Sequence, residues 1–174
     1  MQLNKIMLAA LMTLGTISMA NAANQGSGTV TFKGSIIDAP CSIDPGSLDQ
    51  TVKLGDIATA KLKNGGKSTP QDILIKLVGC EIATAKTVTT TFKGTESTAQ
   101  PGLLAMKGSA RGASISINDV DGKTLELGKK SKPQAIEDGE ATLRFSAHLQ
   151  GDGASSAVTP GEFNSVADFT LAYQ

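Results

Sequence analysis

Residues 161–174 read GEFNSVADFTLAYQ, and small or apolar side chains recur there at every second position. Those positions are Gly161, Phe163, Ser165, Ala167, Phe169, Leu171 and Tyr173. A period of two is typical of a β-strand that has one face on a core and the other in solvent. We therefore expect the chain to end in a strand.

The same alternation occupies residues 26–36, near the other end of the chain. Its repeating positions are Gly26, Gly28, Val30, Phe32, Gly34 and Ile36. Glycine weakens a strand unless another element approaches it closely. Two interpretations therefore remain open: a flexible glycine-rich leader, or a strand that docks in a shallow groove by β-strand addition.

Further strands are predicted where apolar or β-branched residues alternate between turn-forming residues. They lie at 72–78, 88–92 and 141–150, and a hairpin is predicted from Ile115 and Ile117 through the turn Asp121-Gly122 to Leu125 and Leu127. A short helical turn is predicted within residues 55–62. This pattern favours an all-β sandwich of immunoglobulin type, although the core tryptophan of antibody domains is absent.

The first 22 residues have the order of a secretory signal peptide: Lys5, an apolar run, and small residues at Ala20 and Ala22. The apolar run is too short to cross a bilayer, so we do not expect membrane insertion. Cleavage after Ala22 would leave 152 residues, the predicted mature chain, which is enough for one domain. Of 16 basic and 16 acidic residues only Lys5 is removed, so the net charge becomes about −1, which gives no reason to expect a nucleic-acid partner.

The two cysteines, Cys41 and Cys80, both lie in the exported part, where an oxidising compartment favours a disulfide. This bridge would join the strand at 72–78 to a strand at Ile36-Ile37. The alternative is a thiolate metal site, but the chain has only one histidine and no further cysteine to complete it.

No set of residues forms a plausible enzyme site, and no cofactor is expected. A nucleophile with a histidine base would need His148, and strand alternation predicts that this side chain faces outward on the polar side of its strand. Residues 119–122 (DVDG) resemble the start of a calcium loop, but Lys123 occupies the next ligand position. A hairpin turn explains this stretch better.

Four stretches together resemble a known family. They are GSGTVTFKGSIIDAPCSI at 26–43, LVGC at 77–80, the segment 138–149, and PGEFNSVADFTLAYQ at 160–174. The sequence is similar to major pilins of chaperone-usher fimbriae, especially those of the P-pilus and mannose-resistant Proteus-like (MR/P) type.

The resemblance implies an immunoglobulin-like sandwich that lacks its last strand, the pilin fold, completed by a donated strand. The partners it implies are a periplasmic chaperone, an outer-membrane usher, other copies of the chain, and minor and tip pilins. In the fibre, the N-terminal extension of the next subunit would replace the chaperone strand. The subunit would pass through the periplasm and end in an extracellular fimbrium on the bacterial surface.

Carried over by position, the donor strand resembles residues 23–34, and the pilin domain comprises 35–174. Its pocket-facing positions would be Gly26, Gly28, Val30, Phe32 and Gly34, with Gly28 at the family's glycine pocket. The strand that contacts the chaperone and borders the acceptor groove would contribute Gly161, Phe163, Ala167, Phe169, Leu171 and Tyr173. Cys41 and Cys80 match the family disulfide.

The predicted function is therefore that of a structural major subunit that polymerises by donor-strand exchange into a surface fibre for cell adhesion. Two alternatives remain: a minor adaptor or terminator pilin, and a single-domain adhesin that binds a receptor.

Overall fold

The computed structural model describes residues 27–81, 83, 85–153 and 156–174. The chain divides into an N-terminal unit that ends at Ile36 and a compact body that extends from Ile37 to Gln174. The predicted signal peptide, its cleavage site and Gly26 lie outside the described residues. Residues 27–36 contain neither helix nor strand.

The body is built almost entirely of β-strands joined by loops. The strands are β1 Ser42–Ile43, β2 Gln71–Cys80, β3 Thr87–Gly94, β4 Lys107–Gly108, β5 Ala113–Asn118, β6 Gln134–Ala135, β7 Gly139–Gly151, β8 Phe163–Asn164 and β9 Ala167–Tyr173. The helical elements are α1 Pro45–Leu48, α2 Thr59–Leu62 and a 3₁₀ turn, Lys63–Gly65. The helical turn predicted within 55–62 is confirmed as α2. Across the described residues, no helix is long and apolar enough to span a membrane.

Two antiparallel sheets form the layers of a sandwich. One sheet has the order β1-β2-β7-β5, the other has the order β6-β3-β9, and β4 and β8 form a separate pair. The apolar faces of β2 and β7 coincide because Ile75 pairs with Leu143. The rings of Phe92 on β3 and Phe145 on β7 meet edge to face at 5.1 Å, which joins the two layers. The all-β prediction is confirmed, as are the strands at 72–78, 88–92 and 141–150.

The predicted strand at Ile36-Ile37 is wrong. Ile36 is fully exposed and Ile37 is 58 % exposed, and the first strand of the body begins only at Ser42. The disulfide Cys41–Cys80 instead joins the residue before β1 to the end of β2, with the Cα atoms 4.1 Å apart. The alternation that reaches Ile36 is a pattern of the sequence alone: a strand also needs a neighbour, and no described residue supplies one.

The predicted hairpin after β5 is only partly right. The turn forms, since the Gly122 amide donates to the Asp119 carbonyl and the Asp119 amide donates to the Lys123 carbonyl. The second arm is limited to a single bridge between Asn118 and Thr124 and is not a strand. The Asp119 carboxylate accepts from the Val120 amide within the turn and from the Lys132 amide of a later loop. A hairpin turn is therefore the correct interpretation of DVDG.

The prediction that His148 faces solvent is wrong. Its side chain lies on the sheet face opposite the core, as alternation requires, but it is only 4 % exposed. Loops cross this outer face and bond to it, for example through Ser97 to Ser114 and through Thr124 to Ser116. Alternation determines the face of a side chain and carries no information about what covers that face.

Asn118 fixes the protonation state of His148. The Asn118 amide nitrogen donates to Nδ1 of His148 at 2.9 Å, because its oxygen already accepts from the Ser116 hydroxyl. Nδ1 is thus an acceptor in a neutral ring, and Nε2 has no partner among the described residues. Burial lowers the pKa of His148 below its ordinary value of 6.5, and the charge of Lys67 lowers it further.

This arrangement predicts acid-dependent stability. A lowered folded-state pKa means that the stabilising contribution is present above pH 6.5 and is lost as the pH falls through the folded pKa. One proton adds a slope of at most about 1.4 kcal/mol per pH unit. We expect His148→Gln to flatten the decline in unfolding free energy between pH 7 and pH 5, measured by denaturant titration. Parallel curves for the variant and the parent would contradict the assignment.

Candidate functional site

Strand β9 forms an open edge of its sheet. It pairs with β3 along its whole length, from Val88 with Tyr173 to Gly94 with Ala167. On its other side, the described part of the chain supplies no strand. The core-facing side chains of β9 are consequently only half-buried, although their spacing is that of core residues: Ala167, Phe169, Leu171 and Tyr173. A further strand beside β9 would complete their burial.

A groove of about 1080 Å³ opens beside this edge. Its floor is the apolar interior of the sandwich, represented by Ile75 on β2, Phe92 on β3 and Ala147 on β7. Phe169 borders it on the β9 side. The groove thus opens directly into the hydrophobic core and is not a separate surface pocket.

The opposite wall is the segment 51–57, which the sequence analysis did not identify. Val52 and Leu54 are half-buried and line the groove, whereas Thr51 and Lys53 between them are exposed. The segment is held at its start because the Gln50 side chain donates to the Leu74 carbonyl of β2 at 2.9 Å. The described residues provide no backbone hydrogen bond for residues 51–57. The groove therefore has an unpaired backbone along both of its sides.

In the sequence, the alternation TVKL at 51–54 is the pattern that could have indicated this wall of the groove. It is only four residues long and lies between turn-forming residues, so periodicity alone could not separate it from a loop.

Gly161 lies where β4 and β8 approach one another. A Cβ atom at Gly161 would lie 2.6 Å from the Ala110 amide nitrogen and 2.8 Å from the Ser109 carbonyl carbon. The same Ala110 amide donates to the carbonyl of the next residue, Glu162, at 3.1 Å. Glycine is required here by the close approach of two backbones.

We expect Gly161→Ala to destabilise the body by roughly 1–3 kcal/mol, because the added methyl group must displace backbone atoms. The measurement is the midpoint of denaturant unfolding. Gly28→Ala is the matched control, since a Cβ atom at Gly28 has nothing within 4 Å. Equal midpoints for the two variants would contradict the packing described for Gly161.

Tyr173 lies at the end of β9, next to the disulfide. Its hydroxyl is 3.5 Å from the Cys41 carbonyl, and burial raises the pKa of the phenol above its ordinary value. The backbone of Gln174 continues the pairing, because its amide donates to the Thr87 carbonyl at 2.8 Å. The end of β9 is thereby fixed, although its outer edge is open.

The N-terminal unit carries exposed apolar residues and glycines at alternate positions. Val30 is 74 % exposed and Phe32 is 90 % exposed. Gly28 and Gly34 have open space where a side chain would be. The exposed alternation continues to Ile36, two residues beyond the predicted end of the donor strand at Gly34.

The model of the family described as "Fimbrial protein" matches residues 30–174. The chain belongs to this fimbrial protein family. The match begins inside the exposed alternating segment and includes the whole body.

Individual relatives agree with this assignment. The chain is 59 % identical to the fimbria A protein of Serratia marcescens, over 100 % of both chains. It is 48 % identical to the major MR/P fimbria protein of Proteus mirabilis, again over 100 % of both chains. The predicted resemblance is confirmed by these comparisons.

Solved structures show the same fold. A chain in a structure of a chaperone-usher pilus, described in work on rod uncoiling, superposes with a TM-score of 0.76 at 33 % identity, covering 86 % of this chain and 97 % of that one. The crystal structure of the P pilus rod subunit PapA gives a TM-score of 0.69 at 32 % identity, covering 78 % and 100 %. The body is therefore an immunoglobulin-like pilin sandwich, as predicted.

Family membership determines the general function. This fimbrial protein is a structural subunit of a surface fimbria, which assembles with other subunits, and it is not an enzyme.

Proposed function

We propose that the protein is the major subunit of a chaperone-usher fimbria and that it polymerises by donor-strand exchange. The observation that carries this proposal is the groove, which exposes the core between two unpaired backbone edges, β9 and residues 51–57. A sheet edge of this kind is completed when an extended segment adds as a further strand. The occupant we propose is the exposed alternating segment of the next copy.

The donor segment matches β9 in length. Residues 28–34 and β9 both contain seven residues, which corresponds to roughly 23 Å of extended chain at 3.3 Å per residue. Main-chain hydrogen bonds along β9 would supply affinity, while side chains at alternate positions would enter the groove. Gly26, Gly28, Val30, Phe32 and Gly34 are the inserted positions. The proposed receiving edge comprises Gly161, Phe163 of β8, and Ala167, Phe169, Leu171 and Tyr173 of β9.

Burial of apolar side chains provides the driving force. Val30 and Phe32 are largely exposed before docking, and complete burial of each would contribute about 1.5–3 kcal/mol. The glycines do not fill pockets, so they let the backbone approach the groove closely. Glycine at position 28 would leave room for an incoming strand to displace the chaperone stepwise.

The donor strand would run antiparallel to β9, as every described strand pair in the body does. In that orientation Gly28 lies towards Tyr173, and Ile36 lies towards Phe163. We therefore extend the proposed donor segment from Gly34 to Ile36, which gives the exposed isoleucine a place in the groove.

The earlier steps of assembly follow from the same groove. An open core aggregates unless it is covered, so we propose that a periplasmic chaperone pairs with β9 first and that an outer-membrane usher organises the exchange. Residues 1–22 would direct export and be removed. The donor segment, predicted at 23–34, would extend to Ile36, so that the pilin domain, predicted at 35–174, would begin at Ile37. Minor and tip pilins would be further partners.

A peptide experiment tests this proposal directly. The acceptor is the mature chain carrying Val30→Asp and Phe32→Asp, refolded and isolated as a monomer, so that its own segment does not compete. A peptide of residues 26–36 is expected to form a stable 1:1 complex and to raise the unfolding temperature. The control peptide carries the same two aspartates. Equal stabilisation by both peptides, or by neither, would overturn donor-strand exchange through these residues.

A further inference from the structure

Met106 is the one methionine of the sequence that follows the predicted cleavage site. The sequence contains five methionines, and the other four, Met1, Met7, Met12 and Met19, all precede the predicted cleavage site. The predicted mature chain thus carries a single thioether sulfur.

The other readily oxidised side chains are absent or already oxidised. The chain has no tryptophan. Both of its cysteines are joined in the Cys41–Cys80 disulfide. A two-electron oxidant such as hydrogen peroxide therefore has one preferred target in the mature chain, the sulfur of Met106.

The fold places this side chain at the groove. Met106 is half-buried, lines the groove, and packs on an apolar cluster that includes Leu104 and Ile115. It immediately precedes β4, whose partner β8 contains Phe163, another residue of the groove wall. In the proposed orientation of the donor strand, this is the end of the groove that receives Ile36.

We propose that Met106 is an oxidation site that controls whether the groove can accept a donor strand. The proposal rests on donor-strand exchange as the function. Oxidation of the free subunit blocks docking, and a docked strand in turn shields the sulfur from oxidant. An assembled fibre is thus protected at the site where an unassembled subunit is vulnerable.

The chemical step is an oxygen transfer. A lone pair of the Met106 sulfur attacks one oxygen of hydrogen peroxide, the O–O bond breaks, and an S–O bond forms. The departing hydroxide takes up the proton left on the transferred oxygen, which gives water and methionine sulfoxide. The sulfur is oxidised by two electrons and the peroxide is reduced by two.

The consequence for docking follows from polarity. A thioether is flexible and apolar and adapts to its neighbours, whereas a sulfoxide is a strong hydrogen-bond acceptor. Covering that oxygen with an apolar strand removes its water without supplying a donor. We expect the affinity for the donor segment to fall roughly tenfold or more.

The test combines mass spectrometry with peptide binding. The monomeric Val30→Asp/Phe32→Asp chain is treated with hydrogen peroxide, and oxidation is located by peptide mapping. Binding of the peptide of residues 26–36 is then measured on treated and untreated protein. Met106→Leu in the same background keeps the apolar volume and removes the sulfur.

The expected result is a single oxygen added at Met106, weaker peptide binding after treatment, and full binding by treated Met106→Leu. Purified wild-type fibres should acquire the oxygen at least about tenfold more slowly than the monomer, if a docked strand shields the sulfur from oxidant. Unchanged binding after complete oxidation would overturn the proposal, as would equal oxidation rates in fibre and monomer. Untreated protein that fails to bind the peptide would instead refute the proposed function itself.

Discussion

A chain that carries Val30→Asp together with Phe32→Asp is expected to form no fibres, although its body folds and remains soluble. Both side chains are exposed in the N-terminal unit and make no contribution to the packed core of the body. Docking would bring two carboxylates into an apolar groove without partners, at a cost of several kcal/mol each, and the apolar burial of both residues would be lost.

The matched control carries Thr29→Asp and Thr31→Asp. These positions add the same charge to the same segment, but they alternate with the inserted residues and so face away from the groove. Surface fibres are counted by electron microscopy, and subunit abundance is measured in periplasmic extracts. Normal fibres from the Val30/Phe32 variant, or equal defects in both variants, would disprove the assigned donor face.

Replacing both cysteines with serine is expected to lower the unfolding free energy of the body by about 4 kcal/mol, the loop-entropy contribution for a crosslink that closes about 40 residues. The two cysteines are 39 positions apart in the sequence, and both are almost fully buried. The bond also ties β1 to β2 beside the end of β9, where the Tyr173 hydroxyl approaches the Cys41 carbonyl. Its loss would therefore loosen the C-terminal end of β9 as well.

Denaturant unfolding of the refolded monomer measures this difference, with Ser42→Ala as a control because Ser42 is exposed next to the bridge. An unfolding free energy for the double variant within about 1 kcal/mol of the control would contradict the predicted contribution. A peptide of residues 26–36 should also bind the double variant more weakly than it binds the control.

Strong alternation over a long segment was the reliable signal in this sequence. Strands β2, β3 and β7 lie where the pattern predicted them, because each has a paired neighbour and a buried face. The strand predicted over residues 161–173 is interrupted: β8 pairs with β4, and β9 begins only at Ala167. Residues 27–36 show equally regular alternation and form no strand. Periodicity indicates that a segment can form a strand, whereas pairing requires a partner strand, which another chain can supply.

The candidate site was predictable on one side only. The receiving strand was evident from residues 161–173, but the opposite wall at 51–57 has too short a pattern to distinguish from a loop. The burial of His148 also escaped prediction, because it depends on loops whose paths are set by tertiary contacts such as Ser97 with Ser114. The direction of the donor strand came from the family resemblance and from the antiparallel pairing of the body.

The central claim, that copies are joined without covalent bonds by a strand inserted into the core of a neighbour, is tested most directly by electrophoresis of purified fibres in SDS without reductant. Unheated samples should give a ladder of multimers, because unfolding each inserted strand requires opening a packed core, and boiling should collapse the ladder to the monomer. A monomer band alone before heating would contradict the account, and so would a ladder that survives boiling and disappears only on reduction.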